Sequence, residues 1–390
     1  MPEGMAASAL RDRVATAQRV VVKIGTAVLT DEQGRFDPAR HAALCGELAH
    51  AAQTRQVVVV SSGAIALGVE RLGLGRRPTE LPLKQAAAAV GQCRLMHRYE
   101  DELARRDRVV GQLLLTHDDV ADQRRYLNAR QTLLALLGAG AIPIINENDT
   151  VAVDEIQFGD NDSLAGLVVG LCDADLLVLL SDVDGLYSRD PRLPGPTPAR
   201  LLSEVEEISP ALEATATGSL SGLGSGGMAA KLRAAKRAAD IGAVTVIAAG
   251  KRAGVLGSVL AGENTGTVLG SAEGIAGRLR LRQRWIAHAL EPAGILRVDA
   301  GAEAALRNRG GSLLSSGLVE VEGRFERGSP VAITGPTGQP FARGLSGYSA
   351  DELRKIRGAN SRSIEELLGY KYLDEVVHRD DLVLLGSESV

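Results

Sequence analysis

The densest set of chemically capable side chains lies in residues 144–162. Two short clusters, Asn146-Glu147-Asn148-Asp149 and Asp160-Asn161-Asp162, follow an apolar, strand-like segment at 141–145. Carboxylates and amides gathered at a strand end hold a small, polar, charged molecule well, because they present directional donors and acceptors to it. A second set of residues suits phosphate. Lys23 interrupts the apolar run Val20-Val-Val-Lys-Ile24 and is followed by Gly25-Thr26. A lysine there either snorkels from an edge or meets an anion, and Gly25 would let backbone N–H groups approach a phosphate. The run at 57–60 ends at Ser61-Ser62-Gly63 before a helix restarts, so Ser62 is a helix cap, an anion ligand, or both. Further on, Gly218-Ser-Leu-Ser-Gly222-Leu-Gly224-Ser-Gly226-Gly227-Met228-Ala-Ala-Lys231 opens a basic helix. Its GxGxxG match follows no strand, and no GxxxxGK[ST] occurs, which excludes a Walker loop and weakens a dinucleotide fingerprint. A glycine-rich lid over phosphate, with Lys231 in the second turn behind it, fits the pattern better than a plain linker.

These residues need a scaffold that brings them together. Apolar strands at 20–24, 57–60, 109–115, 141–145, 176–180 and 244–248 alternate with helical stretches at 41–53, 84–106, 123–137 and 162–171. That alternation predicts an α/β sandwich with a mainly parallel sheet. Ligands of such sheets sit at the carboxyl ends of the strands, where Lys23, Gly25, Ser62, Gly63, Asn146, Asp149, Ser181 and Asp182 fall. From Pro292 the pattern changes to short strands at 295–298, 318–321, 330–333 and 339–343 between glycine-rich turns, which predicts a separate, small β-rich domain.

Composition narrows the function classes. At 390 residues with 45% hydrophobic and 24% charged content, the chain reads as two globular domains. A formal charge of -4 and 3% aromatics give no general attraction to nucleic acid or anionic membrane and few stacking platforms. Cys45, Cys93 and Cys172 lie far apart, with neither CxxC nor zinc-ligand spacing, as in a reducing compartment. Residues 1–19 lack the apolar core of a signal peptide, and no apolar run approaches the ~20 residues of a membrane span. A cytoplasmic location is expected.

Taken together, the motifs resemble the amino acid kinase family, in its glutamate-phosphorylating form with a C-terminal PUA domain. The resemblance covers nearly the whole chain. It rests on Val21-Val-Lys-Ile-Gly-Thr26, Val60-Ser-Ser-Gly-Ala-Ile-Ala66, Ile145-Asn-Glu-Asn-Asp149, Gly159-Asp-Asn-Asp162, Ser221-Gly-Leu-Gly-Ser-Gly-Gly-Met228 with Lys231, and Trp285. The PUA part rests on Gly311-Ser-Leu-Leu314, Gly317-Leu-Val-Glu-Val-Glu-Gly323, Phe325 and Arg327-Gly328. It implies an amino acid kinase-like αβα domain at 17–272, a connector at 273–291, a PUA-like domain at 292–370 and a tail at 371–390. It also implies transfer of the γ-phosphoryl group of ATP, with Mg²⁺, to the side-chain carboxylate of L-glutamate, the first step towards proline. Lys23 and Lys231 would flank the transferring group and Asp162 would orient them. Ser62 and Gly63 would take the reacting end of glutamate, and Asn146, Asp149 and Asn161 its amino-acid end. The nucleotide would meet Lys23, Gly25, Ser181 and Asp182 beneath a lid of Ser225, Gly226, Gly227, Met228, Ala229, Ala230 and Lys231. No residue set is assigned to a protein-held metal. Ala27, and Ala229-Ala230, stand where the family commonly carries hydroxyl side chains, which removes possible phosphate ligands. Proline as feedback inhibitor, a homodimer or homotetramer, and a downstream glutamyl phosphate reductase are the implied partners, although no residue points to the reductase.

Two rival readings differ in kind. A related kinase could phosphorylate N-acetylglutamate, carbamate or UMP on the same fold, but an acylated substrate offers no ammonium to Asp149. An RNA-binding role would draw on Arg324, Arg327, Arg343, Arg354, Lys355 and Arg357 in the tail domain. Those charges are interleaved with Glu320, Glu322, Glu326 and Glu352, as on an ordinary solvated surface, so RNA is not expected as a partner.

Overall fold

A computed structural model describes residues 8–152, 161–192, 198–209, 212–213, 227–270 and 292–385. The chain divides into two compact units, residues 1–278 and 279–390.

In the first unit, runs rich in Val, Leu and Ile form six-residue strands: β1 (Arg19–Ile24), β2 (Gln56–Ser61), β4 (Ile142–Glu147), β5 (Leu176–Ser181) and β7 (Val244–Ala249). Together with β3 (Val110–Leu115), β6 (Glu204–Val205) and β8 (Thr267–Leu269) they make an eight-stranded sheet in the order β3-β4-β2-β1-β5-β7-β8-β6. All neighbours are parallel except β7 and β8. Strands β1, β2, β4, β5 and β7 are buried on both faces along most of their length, so they are largely apolar and their parity assigns each side chain to a layer. Val20, Val22 and Ile24 join one core with Leu44, Leu48, Leu95 and Val259. Val21, Val58 and Val60 join the opposite core with Leu133, Leu164, Val168 and Leu232. Lys23 shares the parity of Val21.

Helices α1 (Ala9–Thr16), α3 (Pro38–Ala51), α5 (Leu81–Ala104) and α10 (Val255–Leu260) contribute to the first layer. Helices α7 (Gln123–Gly138), α8 (Asn161–Cys172) and α9 (Met228–Asp240) contribute to the second. Shorter helices α2 (Thr26–Leu29) and α4 (Ala64–Arg71) start directly after β1 and β2, and α6 (His117–Ala121) after β3. The elements thus form the α/β sandwich with a mainly parallel sheet that the strand and helix periodicities predict, with helices in two layers against it. Among the described residues, no helix is long and apolar enough to cross a membrane.

Two helix pairs approach at backbone distance. A Cβ on Gly91 of α5 would lie 1.7 Å from the Ala64 carbonyl oxygen of α4, so only glycine permits that crossing. A Cβ on Gly166 of α8 would lie 3.1 Å from Ala234 Cα of α9. Each pair carries residues of the site described below.

The second unit holds a five-stranded sheet in the order β11-β9-β12-β13-β15 and a two-stranded sheet β10-β14. Their ranges are β9 (Gly294–Val298), β10 (Leu313–Leu314), β11 (Leu318–Gly323), β12 (Pro330–Thr334), β13 (Pro340–Leu345), β14 (Glu375–Val377) and β15 (Leu382–Leu384). Helices α11 (Ala300–Arg309), α12 (Ala350–Ile356) and α13 (Ile364–Leu368) complete it. Leu296, Val298, Val331, Ile333, Phe341, Tyr348 and Leu353 form a core of its own. The β-rich pattern read from Pro292 onward corresponds to β9, β11, β12 and β13. Trp285 and the stretch 273–291 lie outside the described residues.

Candidate active site

The chain reverses its direction of travel across the sheet at β1. Strands β2 and β4 lie on one side of it, β5 and β7 on the other. A crevice outside the carboxyl ends of the strands is the general consequence of such a switch point, and Lys23, the penultimate residue of β1, stands there.

Lys23 is 6% exposed, Lys231 5% and Asp162 0%. Lys23 Nζ lies 2.7 Å from Asp162 Oδ1, and Lys231 Nζ donates to Asp162 Oδ2 at 2.9 Å. Three elements converge to make this array. The parity of β1 turns Lys23 towards the α8 and α9 layer, Asp162 sits in the first turn of α8, and Lys231 in the first turns of α9. Gly166 and Ala234, one turn further along each helix, set the spacing between them. Burial pushes the Asp162 carboxyl pKa up, but the charges of Lys23 and Lys231, with their hydrogen bonds, outweigh it and hold the group below the usual carboxylate value. Asp162 thus holds two ammonium groups side by side, an arrangement that can face an anion.

On the β2 and β4 side lies a connected relay of amides. Asn161 Nδ2 donates to Ser62 Oγ at 2.8 Å and to Asn146 Oδ1 at 2.9 Å. Asn146 Nδ2 donates to Gln92 Oε1 at 2.8 Å, and the Glu147 N–H donates to Asn146 Oδ1 at 2.9 Å. The Ser62 N–H donates to the Ile24 carbonyl at 3.0 Å, and Gly63 turns the chain with φ 106° into α4. Behind this turn, the fully buried Tyr99 donates through its hydroxyl to Ser61 Oγ at 2.9 Å. Asp149 is half-buried. Burial raises its carboxyl pKa, and the Arg77 charge opposes that rise without cancelling it. Ser62, Asn146 and Asn161 are therefore joined in one hydrogen-bonded set, with Gly63 next to Ser62 and Asp149 two residues beyond β4.

On the other side, Ser181 closes β5, its hydroxyl donating to the exposed Asp182 Oδ1 at 3.0 Å. The Gly25 N–H donates to the Leu180 carbonyl at 3.3 Å, so in this state it is engaged by the β5 end. Gly227 caps α9, Met228 and Ala229 are half-exposed, and Ala230 is buried. Ser225 and Gly226 of the glycine-rich loop lie outside the described residues, as does Asp160. Gln92, Tyr99 and Arg77 belong to no motif, and their contribution follows only from how α5 and the segment before it meet the strand ends.

Chemically, the arrangement offers two buried cations held by one carboxylate, a polar cradle on one side and open strand ends on the other. It can bring an anionic acceptor and a phosphoryl donor to a shared point of positive charge.

The model of the amino acid kinase family matches residues 18–249, and that of the PUA domain matches 294–368. A glutamate 5-kinase of Myxococcus xanthus (strain DK1622) is 54% identical over 375 residues, covering 96% of this chain and 98% of that protein. A glutamate 5-kinase of Anaeromyxobacter dehalogenans (strain 2CP-C) is 51% identical over 386 residues, covering 98% and 99%. One from Pelobacter propionicus is 49% identical over 369 residues, covering 94% and 98%.

Proposed function

The chain belongs to the amino acid kinase family, within it to the glutamate 5-kinases that carry a PUA domain, and from that premise we infer how its residues divide the reaction. The activity is ATP-dependent phosphorylation of the side-chain carboxylate of L-glutamate to L-glutamyl 5-phosphate, in proline biosynthesis. The observation that carries the assignment of roles is the Lys23, Asp162 and Lys231 array at the switch point of the sheet.

A glutamate side chain is ionised near neutral pH, its reference pKa being about 4.3, so the nucleophile needs no general base. A carboxylate oxygen forms the new bond to the γ-phosphorus as the bond to the β,γ-bridging oxygen breaks, and ADP leaves with that electron pair. The obstacle is repulsion between two anions. Lys23 and Lys231 meet it with fixed positive charge, and Asp162 holds both ammonium groups in place so that nothing need reorganise during transfer. Ser62 and Gly63 seat the reacting carboxylate beside Lys23. Asn146, Asn161 and Asp149 hold the amino-acid end, Asp149 by pairing with the ammonium. Gly25, Ser181, Asp182 and the loop before Lys231 receive the nucleotide.

ATP enters as its magnesium complex. Among the described residues, no group of three or more His, Cys, Asp or Glu side chains is placed to hold a metal. An ion brought in by the nucleotide would be held by phosphates and water, and Asp182, the carboxylate exposed at the β5 end, would face its hydration shell. When bound, the ion would supply charge neutralisation to the phosphate groups of the nucleotide.

The test is ADP release from Mg-ATP by the purified protein with L-glutamate, N-acetylglutamate, aspartate or UMP as acceptor. Turnover confined to glutamate supports the assignment; turnover with N-acetylglutamate removes Asp149 as the ammonium partner. Inhibition by proline, a homo-oligomeric state, transfer to a glutamyl phosphate reductase and a cytoplasmic location belong to the same reading through the family. A glutamate-dependent rate unchanged by proline at subsaturating glutamate would remove the first of these.

A further inference from the structure

The polarity of the amide relay is fixed by the backbone. The Glu147 N–H can only donate, so the atom of Asn146 facing it is Oδ1. Asn146 therefore turns Nδ2 to Gln92, which must present Oε1, and it receives Nδ2 of Asn161 at its own Oδ1. Each step leaves one atom over. At the ends of the relay, Gln92 Nε2 and Asn161 Oδ1 are buried and have no hydrogen-bond partner. Neither amide can flip to cure this: a turned Gln92 would set donor against donor at Asn146 Nδ2, and a turned Asn161 would set acceptor against acceptor at Asn146 Oδ1.

One uncommitted donor and one uncommitted acceptor, shielded from water in a single network, complement a molecule that carries a carboxylate and an ammonium on one carbon. We propose that Gln92 is a specificity-determining residue: its Oε1 fixes Asn146, and its Nε2 donates to the α-carboxylate of the substrate, while Asn161 Oδ1 joins Asp149 on the ammonium. The proposal rests on the assignment of glutamate as acceptor. Elimination within the relay supports it, since Asn146 Nδ2 is committed to Gln92, and Asn161 Nδ2 to Ser62, Asn146 and the Ser61 carbonyl. Asn146 Nδ2 has spent one of its two N–H groups on Gln92, whereas Gln92 Nε2, with both of its N–H groups unspent, is the relay nitrogen that makes no hydrogen bond. Arg77, the charge nearest in effect to Asp149, is the competing cation. A buried amide left unpaired rejects a ligand that lacks the matching group, so the relay would select an α-amino acid over its decarboxylated analogue.

The full-length enzyme tests this with two acceptors, L-glutamate and 4-aminobutyrate, which keeps the ammonium and the reacting carboxylate but lacks the α-carboxylate. Dissociation constants come from calorimetry and turnover from ADP release. Gln92→Met should weaken glutamate by about 10- to 100-fold, the range for a hydrogen bond to a charged group, weaken 4-aminobutyrate distinctly less, through the loosened Asn146 alone, and leave the KM for ATP unchanged. Gln92→Glu, which keeps the acceptor for Asn146 and replaces the donor with an anion, should weaken glutamate further and 4-aminobutyrate little. Equal weakening of both acceptors by Gln92→Met, or a Gln92→Glu enzyme that binds glutamate like the native one, overturns the proposal and leaves the α-carboxylate to Arg77. The kinase reading fails separately: it falls if the native enzyme binds glutamate without releasing ADP.

Discussion

Asp162 remains ionised in a fully buried position because its two oxygens each meet a lysine ammonium. Such a cluster is poor evidence of stabilisation, since desolvating three charges costs about as much as their attraction returns. Its value is the placement of positive charge. Asp162→Asn leaves two ammonium groups facing each other without the counter-ion between them. The expected result is a loss of about 3 to 5 kcal/mol in chemical denaturation, with a fall in kcat of about 100- to 1000-fold. Lys23→Ala should cause a similar fall in kcat with little change in glutamate affinity, because its charge matters most in the transition state. Asp149 gives the pH dependence. Its carboxyl titrates above the usual aspartate range in the free enzyme because of burial, and the protonated form cannot pair with an ammonium. As pH falls, kcat/KM for glutamate should therefore decline from a pH above the ordinary aspartate pKa. The Asp149→Asn enzyme, already weak, should lose that limb and keep only the one set by the substrate carboxylate. An unchanged limb in the variant would assign it to another group.

The site is assembled by pairs of elements, and two glycines separate its halves experimentally. Gly91→Ala forces α5 from α4, because the new Cβ meets the Ala64 backbone rather than a yielding side chain. The expected cost is about 1 to 3 kcal/mol. The shift falls on the Ser62 and Gly63 turn before α4 and on neighbouring Gln92, so KM for glutamate should rise while KM for ATP holds. Gly166→Ala pushes more gently, against Ala234, and widens the α8 to α9 gap that sets Lys231 on Asp162. There kcat should fall more than either KM. Steady-state kinetics on both variants distinguish the outcomes, and the reverse pattern would contradict the placement of the two half-sites. The same elements mark what a single sequence reveals. Continuous apolar runs and their polar ends located β1, β2, β4, β5 and β7 to within a residue or two, and with them Lys23, Ser62, Asn146 and Asp162, because a doubly buried strand shows itself locally. The antiparallel return of β8, the small β6, and helix α11 in the second unit gave no such local signal. Gln92 was hidden for another reason. It sits mid-way along a 24-residue helix whose rotation about its axis is set by the contact of Gly91 with Ala64, and its amide polarity by a backbone N–H 55 residues away, at Glu147.

At the scale of the whole chain, every described residue of the site belongs to residues 1–278, and residues 279–390 have a separate core around Leu296, Ile333, Phe341 and Tyr348. Two units with independent cores fold as separate cooperative bodies, and the chemistry argued above draws on the first alone. A chain ending at residue 278 should thus keep its KM values for glutamate and ATP, and its kcat, within about 2-fold, the margin found for independent sites. Calorimetry of the full chain should resolve two transitions, of which truncation removes one and leaves the other at its temperature. A rise of about 10-fold or more in KM for glutamate on truncation would instead measure a coupling free energy of about 1.4 kcal/mol between the units. The PUA unit would then be a regulator of the amide relay, and the search for its ligand would begin with whatever restores the full-length KM.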